Sequence, residues 1–205
     1  MHLLVVGPGR IGKALAARLQ QDGHLLTIRS REAYGDFFVP TYDPGPALAE
    51  IETCDAVLLC AGAFELNASL ERMVQANHTG PVRIAEAIHS KFPQAHIITF
   101  LDARIQRPET ALPANIHAYM ASKRLHAQWT LAAAKTWGTA TGCRVNAIAP
   151  GPVLPPPDKA HSEKAGACLT PRPTIDDIYQ AVNFLLMTPS VTGQILYIAA
   201  GQQLL

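Results

Sequence analysis

The chain has 205 residues, of which 48% are hydrophobic and 16% are charged, and its 17 basic and 16 acidic residues leave a formal net charge of +1. This length suits one domain with a sizeable core, and the balanced charge excludes a dedicated binder of nucleic acid or acidic membranes. No apolar run approaches the ~18–20 residues that span a bilayer. The first residues lack the features of a signal peptide and the four cysteines are scattered, so we expect a reduced, cytoplasmic protein.

Short apolar runs alternate with helical patterns along the chain, which predicts a parallel sheet wrapped by helices. We expect strands at residues 3–6, 25–28, 37–42, 56–60, 97–101, 144–148 and 194–199, and helices at residues 12–21, 68–92, 118–137 and 175–187. Pro40 favours an edge position for the third of these strands. The pattern predicts a single α/β domain over residues 1–205 with a doubly wound, mostly parallel sheet of seven strands.

Two connections are short for this architecture. About seven residues, 30–36, separate the second and third predicted strands, whereas a helical crossover takes a dozen or more, so we expect no crossover helix there. Residues 152–173 are rich in proline and poor in bulky apolar side chains. We expect this segment to form a short loop over a substrate site, so that the fold has truncated connections.

A glycine-rich loop follows the first predicted strand and opens the first helix. Its residues, Gly7-Pro8-Gly9-Arg10-Ile11-Gly12, form the pattern GxGxxG. Gly7 would permit the tight turn, Gly9 would let the backbone approach a pyrophosphate, and Gly12 would allow close helix packing at a helix N-terminus that attracts phosphate. The pattern predicts a Rossmann fold that binds a dinucleotide, and the alternative is a tight turn without a ligand.

The end of the second predicted strand indicates which dinucleotide is bound. An acidic residue there would bind the ribose 2′-hydroxyl of NAD, but the sequence has Arg29, Ser30 and Arg31. Two guanidinium groups and a hydroxyl suit a 2′-phosphate, and Arg10 could add a third cation. We therefore expect NADP(H), while the alternative is that Arg29 and Arg31 are solvated surface charges.

Tyr119 and Lys123 lie four positions apart near the start of a predicted helix, so their side chains share one face. A nearby ammonium stabilises a phenolate and lowers the phenol pKa from its reference value of about 10, which suits general acid–base catalysis. The pattern YxxxK is common by chance. Together with the glycine loop upstream and the Pro-Gly-Pro-Val run downstream, it predicts an active site.

These motifs resemble the short-chain dehydrogenase/reductase family over nearly the whole chain. Further matching positions are Asp43, Ala61, Gly62, Asn77, Pro150, Gly151 and Val153. The resemblance implies that Asp43 touches the adenine, that Ala61 and Gly62 bind the cofactor, and that residues 150–153 flank the nicotinamide. It also implies a homodimer or homotetramer formed through the two long helices.

The resemblance further implies the catalytic roles. Tyr119 would donate the proton, Lys123 would bind the nicotinamide ribose and tune the tyrosine, and Asn77 would mark a kink in its helix and hold a water in a proton relay through Lys123. Eight histidines are present, but they form no metal-binding pattern, so no metal site is expected.

Two positions depart from the usual family pattern. Asp102 stands where the family usually has a serine, and Cys60 replaces an asparagine. An aspartate at the first position resembles the pteridine reductase branch, which includes dihydromonapterin reductases. Phe64 matches the aromatic residue that stacks a pterin in that branch, and Arg10 matches an arginine near the phosphates and the substrate.

Other interpretations of these residues stay open. Asp102 lies seventeen positions before Tyr119, more than is usual, so residues 104–117 must bulge as a longer loop. Asp102 could instead cap that loop or pair with Arg104 or Arg107, and Phe64 could be a core residue.

The leading hypothesis is an NADPH-dependent reductase that passes hydride to a pterin-like C=N bond or an activated carbonyl. The alternatives are a generic carbonyl or quinone reductase of the same fold and a non-catalytic NADP(H)-sensing protein.

Overall fold

Six parallel strands form one sheet in the computed structural model, which describes residues 1–31, 35–36, 39–154 and 167–205. They are β1 (His2–Val6), β2 (Leu25–Arg29), β3 (Ala56–Leu59), β4 (His96–Phe100), β5 (Val145–Pro150) and β6 (Ile195–Ile198). Their spatial order is β2-β1-β3-β4-β5-β6, and all neighbouring pairs are parallel. From β1 the chain adds β2 on one side and then returns to add β3 on the other, so the strand order reverses between β1 and β3. Open α/β sheets bind ligands in the crevice at such a point.

Helices cover both faces of this sheet. They are α1 (Arg10–Gln21), α2 (Gly45–Leu48), α3 (Leu70–Val74), α4 (Gly80–Lys91), α5 (His117–Thr141) and α6 (Ile175–Met187). Alternate residues of β1 point to opposite faces: Leu3 packs in a cluster with α1 and α6, and Leu4 packs in a cluster with α4 and α5. Burial on both faces explains why the strands read as continuous apolar runs. The predicted α/β Rossmann architecture is confirmed.

The third predicted strand, over residues 37–42, is wrong for the part that the structure describes, which leaves six strands instead of the seven predicted. Val39–Tyr42 form a turn in which the backbone N–H of Tyr42 donates to the carbonyl of Val39 over 3.1 Å; residues 37–38 lie outside the described part. Pro40 has no N–H to offer a strand ladder. The side chain of Tyr42 packs instead against the core cluster of α4 and α5.

The helix predicted over residues 68–92 changes its winding in the middle. A π-helical turn, Gln75–Thr79, separates α3 from α4. Such turns insert an extra residue and are frequent at functional sites. Here the turn carries Asn77 inward, where only 1% of the residue is exposed.

Two predictions about short connections fall largely outside the described residues. Residues 32–34 belong to the segment expected to lack a crossover helix, and residues 155–166 belong to the predicted substrate loop, 152–173. In the described part of the connection from β2 to β3, residues 30–31, 35–36 and 39–55, Arg31 has a helical backbone, and its carbonyl accepts a hydrogen bond from the N–H of Gly35 over 3.0 Å. The four-residue α2 lies further along the same connection.

Candidate active site

A cavity of about 780 Å³ opens at the carboxyl edge of the sheet. Its wall is formed by the start of α1, by the segments that follow β3, β4 and β5, and by the first turns of α5. The wall includes most of the residues predicted from the sequence, namely Gly9, Arg10, Ile11, Gly12, Gly62, Phe64, Asn77, Asp102, Tyr119, Lys123, Pro150, Gly151 and Val153. The remaining predicted residues, Gly7, Ala61, Arg29, Ser30, Arg31 and Asp43, lie outside it.

The glycine loop has the geometry that phosphate binding requires. Gly7 has a φ of +62°, and a Cβ there would lie 2.7 Å from the Cα of Ala61, so that only glycine fits. At Gly9 a Cβ would meet nothing within 4 Å, which leaves this backbone open to the cavity. The first turn of α1 contains no acidic residue, so the positive end of the helix dipole is available to an anion.

The predicted cofactor-selecting residues lie beside this loop. The N–H of Gly7 donates to the carbonyl of Arg29 over 2.8 Å, which joins the loop to the end of β2. The Nε of Arg29 donates to the carbonyl of Ala47 over 2.6 Å, a structural use that the sequence did not reveal. Arg31 is half exposed and pairs with Asp36 at 3.9 Å.

Asp43, the predicted adenine contact, lies on the same side of the fold. Its Oδ1 accepts a hydrogen bond from the N–H of Gly45 over 2.9 Å at the start of α2. Because Arg29 binds Ala47 in the same short helix, the structure brings the end of β2 and the segment around Asp43 together.

Tyr119 and Lys123 project from one face of α5 into the cavity wall. The Nζ of Lys123 donates to the carbonyl of Phe100, at the end of β4, over 2.9 Å, and lies 5.9 Å from the centre of the Tyr119 ring. A Cβ on Gly62 would lie 2.8 Å from the Oδ1 of Asn77 and 3.3 Å from the Nζ of Lys123. Glycine at position 62 therefore leaves room for both of these side chains in the cavity wall.

The carboxamide of Asn77 holds the segment after β3. Its Oδ1 accepts from the N–H of Ala63 and its Nδ2 donates to the carbonyl of Ala63, each over 2.9 Å. The π-helical turn thus fixes the backbone on which Gly62 and Phe64 lie.

Asp102 reaches Tyr119 despite the long spacing between them. The hydroxyl of Tyr119 donates to the Oδ2 of Asp102 over 3.3 Å. Three short 3₁₀ turns, Ala103–Gln106, Glu109–Ala111 and Ala114–Ile116, take up the additional residues.

Asp102 also caps its loop and pairs with Arg104 rather than with Arg107. Its Oδ1 accepts from the backbone N–H and the Nε of Arg104, both over 2.9 Å, and its Oδ2 accepts from the Nη2 of Arg104 over 2.8 Å. The interpretation as a cap and the interpretation as a partner of Tyr119 therefore both hold.

Phe64 is not a core residue. It is 54% exposed, its ring meets the ring of Tyr119 edge-on with centres 4.8 Å apart, and the guanidinium of Arg104 lies 5.9 Å from its ring centre. Phe64 thus forms a partly exposed apolar surface beside Tyr119 in the cavity wall.

Burial dominates the electrostatics of the site. Burial, followed by the negative charge of Asp102, raises the pKa of Tyr119 well above its usual value, and Arg104 opposes this shift. Burial lowers the pKa of Lys123 to about 8, against the effect of Asp102. Burial also raises the pKa of Cys60 to about 12. Tyr119 is therefore a protonated phenol at neutral pH and can donate a proton, and Cys60 is an unreactive thiol.

The cation that favours ionised Tyr119 in this structure is Arg104. Sequence reasoning named Arg104 only as a partner of Asp102 and expected Lys123 to tune the tyrosine. Nothing in the sequence pattern identifies Arg104, because the loop that brings it to the cavity has no regular periodicity.

A family model described as "Enoyl-(Acyl carrier protein) reductase" matches residues 63–203, more than half of the chain. The chain belongs to the short-chain dehydrogenase/reductase family. It is accordingly an oxidoreductase of the short-chain type. No curated protein matches its sequence.

Solved structures of other short-chain enzymes share the fold at low sequence identity. The 3-ketoacyl-(acyl-carrier-protein) reductase of Brucella melitensis, solved with NADH, has a TM-score of 0.83 at 19% identity over 98% of each chain. The 3-alpha-hydroxysteroid dehydrogenase of Pseudomonas sp. B-0831, solved with NADH, has a TM-score of 0.82 at 20% identity over 98% of this chain and 96% of its own. FolM alternative dihydrofolate reductase 1 of Brucella canis, solved with NADP, has a TM-score of 0.76 at 23% identity over 100% of this chain and 94% of its own.

Within residues 1–31, 35–36, 39–154 and 167–205, no three histidine, cysteine or acidic side chains are grouped so that they could hold a metal ion. No helix in the same part of this short-chain enzyme is both long and apolar enough to cross a bilayer.

Proposed function

We propose that the protein is an NADPH-dependent reductase that transfers hydride to a pterin-like C=N bond or to an activated carbonyl, with Tyr119 as the proton donor. One observation carries the proposal: the protonated hydroxyl of Tyr119, 3.3 Å from Asp102, shares a cavity wall with the open backbone of Gly9 at the start of α1. A proton donor and a phosphate-binding loop in one cavity suit a nicotinamide-dependent reduction.

The residues present fit the cofactor. The open backbone at Gly9 and the helix end without acidic residues would hold the diphosphate, and Arg29, Ser30 and Arg31 would hold the 2′-phosphate. Lys123 would bind the nicotinamide ribose, and Pro150, Gly151 and Val153 would flank the ring. When bound, the reduced nicotinamide supplies the hydride. The NADP found with the similar FolM structure supports this choice, although other relatives were solved with NADH.

Tyr119 would give its hydroxyl proton to the oxygen or nitrogen of the reduced bond while the carbon gains hydride. Burial and Asp102 keep Tyr119 protonated before the reaction, and Arg104 is the cation that offsets the charge left on its oxygen. In this proposal Lys123, together with a water held by Asn77, returns a proton to Tyr119.

A pterin-like substrate is supported by Phe64 and by the similarity to FolM. The partly exposed ring of Phe64 would stack a flat heterocycle beside Tyr119. The similar FolM protein is named a dihydrofolate reductase. An activated carbonyl would use the same proton donor, so the two substrate classes need a direct comparison.

The experiment measures oxidation of NADPH and NADH with dihydrofolate, dihydrobiopterin and a panel of ketones and quinones. We expect faster oxidation of NADPH than of NADH, and Tyr119→Phe should lower kcat by about 10²–10⁴-fold, because it removes the proton donor. Tyr179→Phe, which removes a hydroxyl bound to Asp22 away from the cavity, is the matched control.

Two results would contradict the proposal. Tight binding of NADPH without turnover of any substrate would favour a sensing protein, and an unchanged kcat in Tyr119→Phe would remove Tyr119 from the mechanism.

Assembly and location belong to the same proposal. A homodimer or homotetramer through the long helices is supported by the exposed leucines of α5, Leu125 and Leu131, and light scattering of the purified protein measures it. A cytoplasmic location is supported by four free thiols, Cys54, Cys60, Cys143 and Cys168.

A further inference from the structure

The guanidinium of Arg104 lies at the reacting end of the cavity, beside Tyr119 and Phe64. Its Nε and Nη2 donate to the two carboxylate oxygens of Asp102 over 2.9 and 2.8 Å. This is the bidentate geometry in which an arginine is held most firmly. The Arg104 side chain is nevertheless 26% exposed, so it is fixed in place without being covered.

Asp102 has little acceptor capacity left for a substrate. Its Oδ1 accepts from the backbone N–H and the Nε of Arg104, and its Oδ2 accepts from the Nη2 of Arg104 and the hydroxyl of Tyr119. A carboxylate offers about four acceptor positions, and all of them are used. An N–H group of a substrate would therefore have to displace an existing hydrogen bond.

Arg104, in contrast, retains donors. A guanidinium carries five N–H groups, and its Nη1 makes no hydrogen bond to any residue that the structure describes. The Nη2 of Arg104 and the hydroxyl of Tyr119 also donate to the same carboxylate oxygen. The group that binds and the group that gives the proton are thus neighbours.

The net positive charge of the cavity wall also favours hydrogen-bond acceptors on a substrate. Its charged residues are Arg10, Arg104, Lys123 and Asp102, three bases against one acid. Because Asp102 is bound by Arg104, an oxygen atom of a substrate meets donors at this end of the cavity.

We infer that Arg104 binds the substrate and selects molecules in which a second oxygen acceptor lies on the carbon next to the reacting carbonyl, as in 2-oxo acids and 1,2-diketones. Asp102 is then a positioning residue that holds Arg104. The inference rests on the proposed function and deepens it: Tyr119 protonates the reacting oxygen while Arg104 binds the neighbouring one.

The test compares three substrates that share a phenyl ketone: phenylglyoxylate, 1-phenyl-1,2-propanedione and acetophenone, with NADPH as reductant. We expect kcat/KM to be about 10–100-fold higher for the two substrates with a second oxygen, the range of a hydrogen bond to a charged group. Phenylglyoxylate against the diketone separates recognition of a carboxylate from recognition of a neutral carbonyl.

Variants then assign the preference to Arg104. Arg104→Gln, whose amide can still donate to Asp102, should bring the ratio of kcat/KM between the substrates with a second oxygen and acetophenone close to one, mainly by raising KM for the former. Arg104→Lys keeps the charge without the planar fork and should retain part of the preference. Free guanidinium added to Arg104→Ala should restore part of it, which a merely structural role would not produce. Arg18→Gln, which breaks an exposed ion pair with Asp176 outside the cavity, is the matched control.

Several outcomes would overturn the inference while leaving the proposed function intact. They are equal kcat/KM for the three ketones, a preference that persists in folded Arg104→Gln and Arg104→Lys, and fast turnover of dihydrobiopterin that Asp102→Asn abolishes but Arg104→Gln does not. If nothing is turned over, the proposed function fails, and calorimetric titration of phenylglyoxylate into the NADP-saturated protein tests Arg104 alone. Binding about tenfold weaker in Arg104→Gln supports the inference, and equal or undetectable binding in both proteins overturns it.

Discussion

The inner wall of the cavity, formed by Asn77, Tyr119 and Lys123, is buried, whereas the outer wall, formed by Phe64, Asp102 and Arg104, is partly open to solvent. Asn77, Tyr119 and Lys123 are each at most 8% exposed, while Phe64 is 54% exposed. The inner wall rests on α5, the π-helical turn and the end of β4. The outer wall rests on the segments that follow β3 and β4.

This difference in burial indicates that the inner wall serves proton transfer and the outer wall serves substrate specificity. Side chains on helices and strand ends are held to a small range of positions, which proton transfer requires. Loop residues vary and adapt more easily, and specificity is commonly found on them. We therefore expect changes in the inner wall to lower the rate for every substrate and changes in the outer wall to alter the choice among substrates.

The largest effect is expected for Gly62→Ala, whose added Cβ would press on the inner wall. The added Cβ would lie 2.8 Å from the Oδ1 of Asn77 and 3.3 Å from the Nζ of Lys123, so both side chains must move away from residue 62. A displacement near 1 Å costs about 10²-fold in rate. Steady-state kinetics should show this loss in kcat/KM for every substrate. Gly138→Ala is the control, because its Cβ would make an ordinary 3.5 Å contact with the carbonyl of Cys143. Unchanged kinetics in Gly62→Ala would mean that the inner wall adapts.

The next effect concerns stability and pH. Burial lowers the pKa of Lys123 to about 8 in the folded protein, below the ordinary lysine value of 10.5. The unfolded chain therefore binds more protons between these values, and this group's contribution to stability rises with pH across that window. Lys123→Met removes this pH dependence. We therefore expect the free energy of unfolding of the variant, relative to that of wild type, to be about 2–3 kcal/mol higher at pH 7 than at pH 10.

Urea unfolding at pH 7, 8, 9 and 10 measures that difference, and contributions from the buried thiols cancel because both proteins contain them. Lys135→Met, an exposed lysine on the same helix, is the control. A difference between Lys123→Met and wild type that does not change with pH would show that Lys123 is charged in the folded protein throughout this range.

The smallest effect is expected for Arg124→Ala, which releases the outer wall from α5. Arg124 donates to the carbonyls of Ile105 and Arg107, and loss of such hydrogen bonds costs about 1–2 kcal/mol. We expect a lower free energy of unfolding and a KM raised a few-fold with little change in kcat. Arg18→Ala removes an exposed ion pair with Asp176 and a contact with the ring of Tyr179, so it should cost about 1–2 kcal/mol without raising KM. A fall in kcat as large as in Gly62→Ala would contradict the separation of the two walls.

Much of the fold and of the inner wall could be predicted from local sequence signals. The glycine loop, the apolar strands and the four-residue spacing of Tyr119 and Lys123 each act within one turn or one strand. The prediction of a strand at residues 37–42 was wrong because it followed the β-forming side chains and gave too little weight to Pro40. The described backbone there forms a turn. The π-helical turn at Asn77 could not be read from periodicity, because it depends on hydrogen bonds to Ala63 in another segment.

The sequence by itself determined an α/β chain with a dinucleotide-type glycine loop and a Tyr–Lys pair, because these features depend on backbone freedom and helical spacing near each residue. Only the tertiary structure decided what surrounds that pair. Three contacts depend on how the irregular loop after β4 folds back onto α5. They are the hydrogen bond from Tyr119 to Asp102, the ion pair of Arg104 with Asp102 and the contact of Arg104 with the ring of Phe64. Contacts between segments distant in the chain are set by packing, and no local pattern records them.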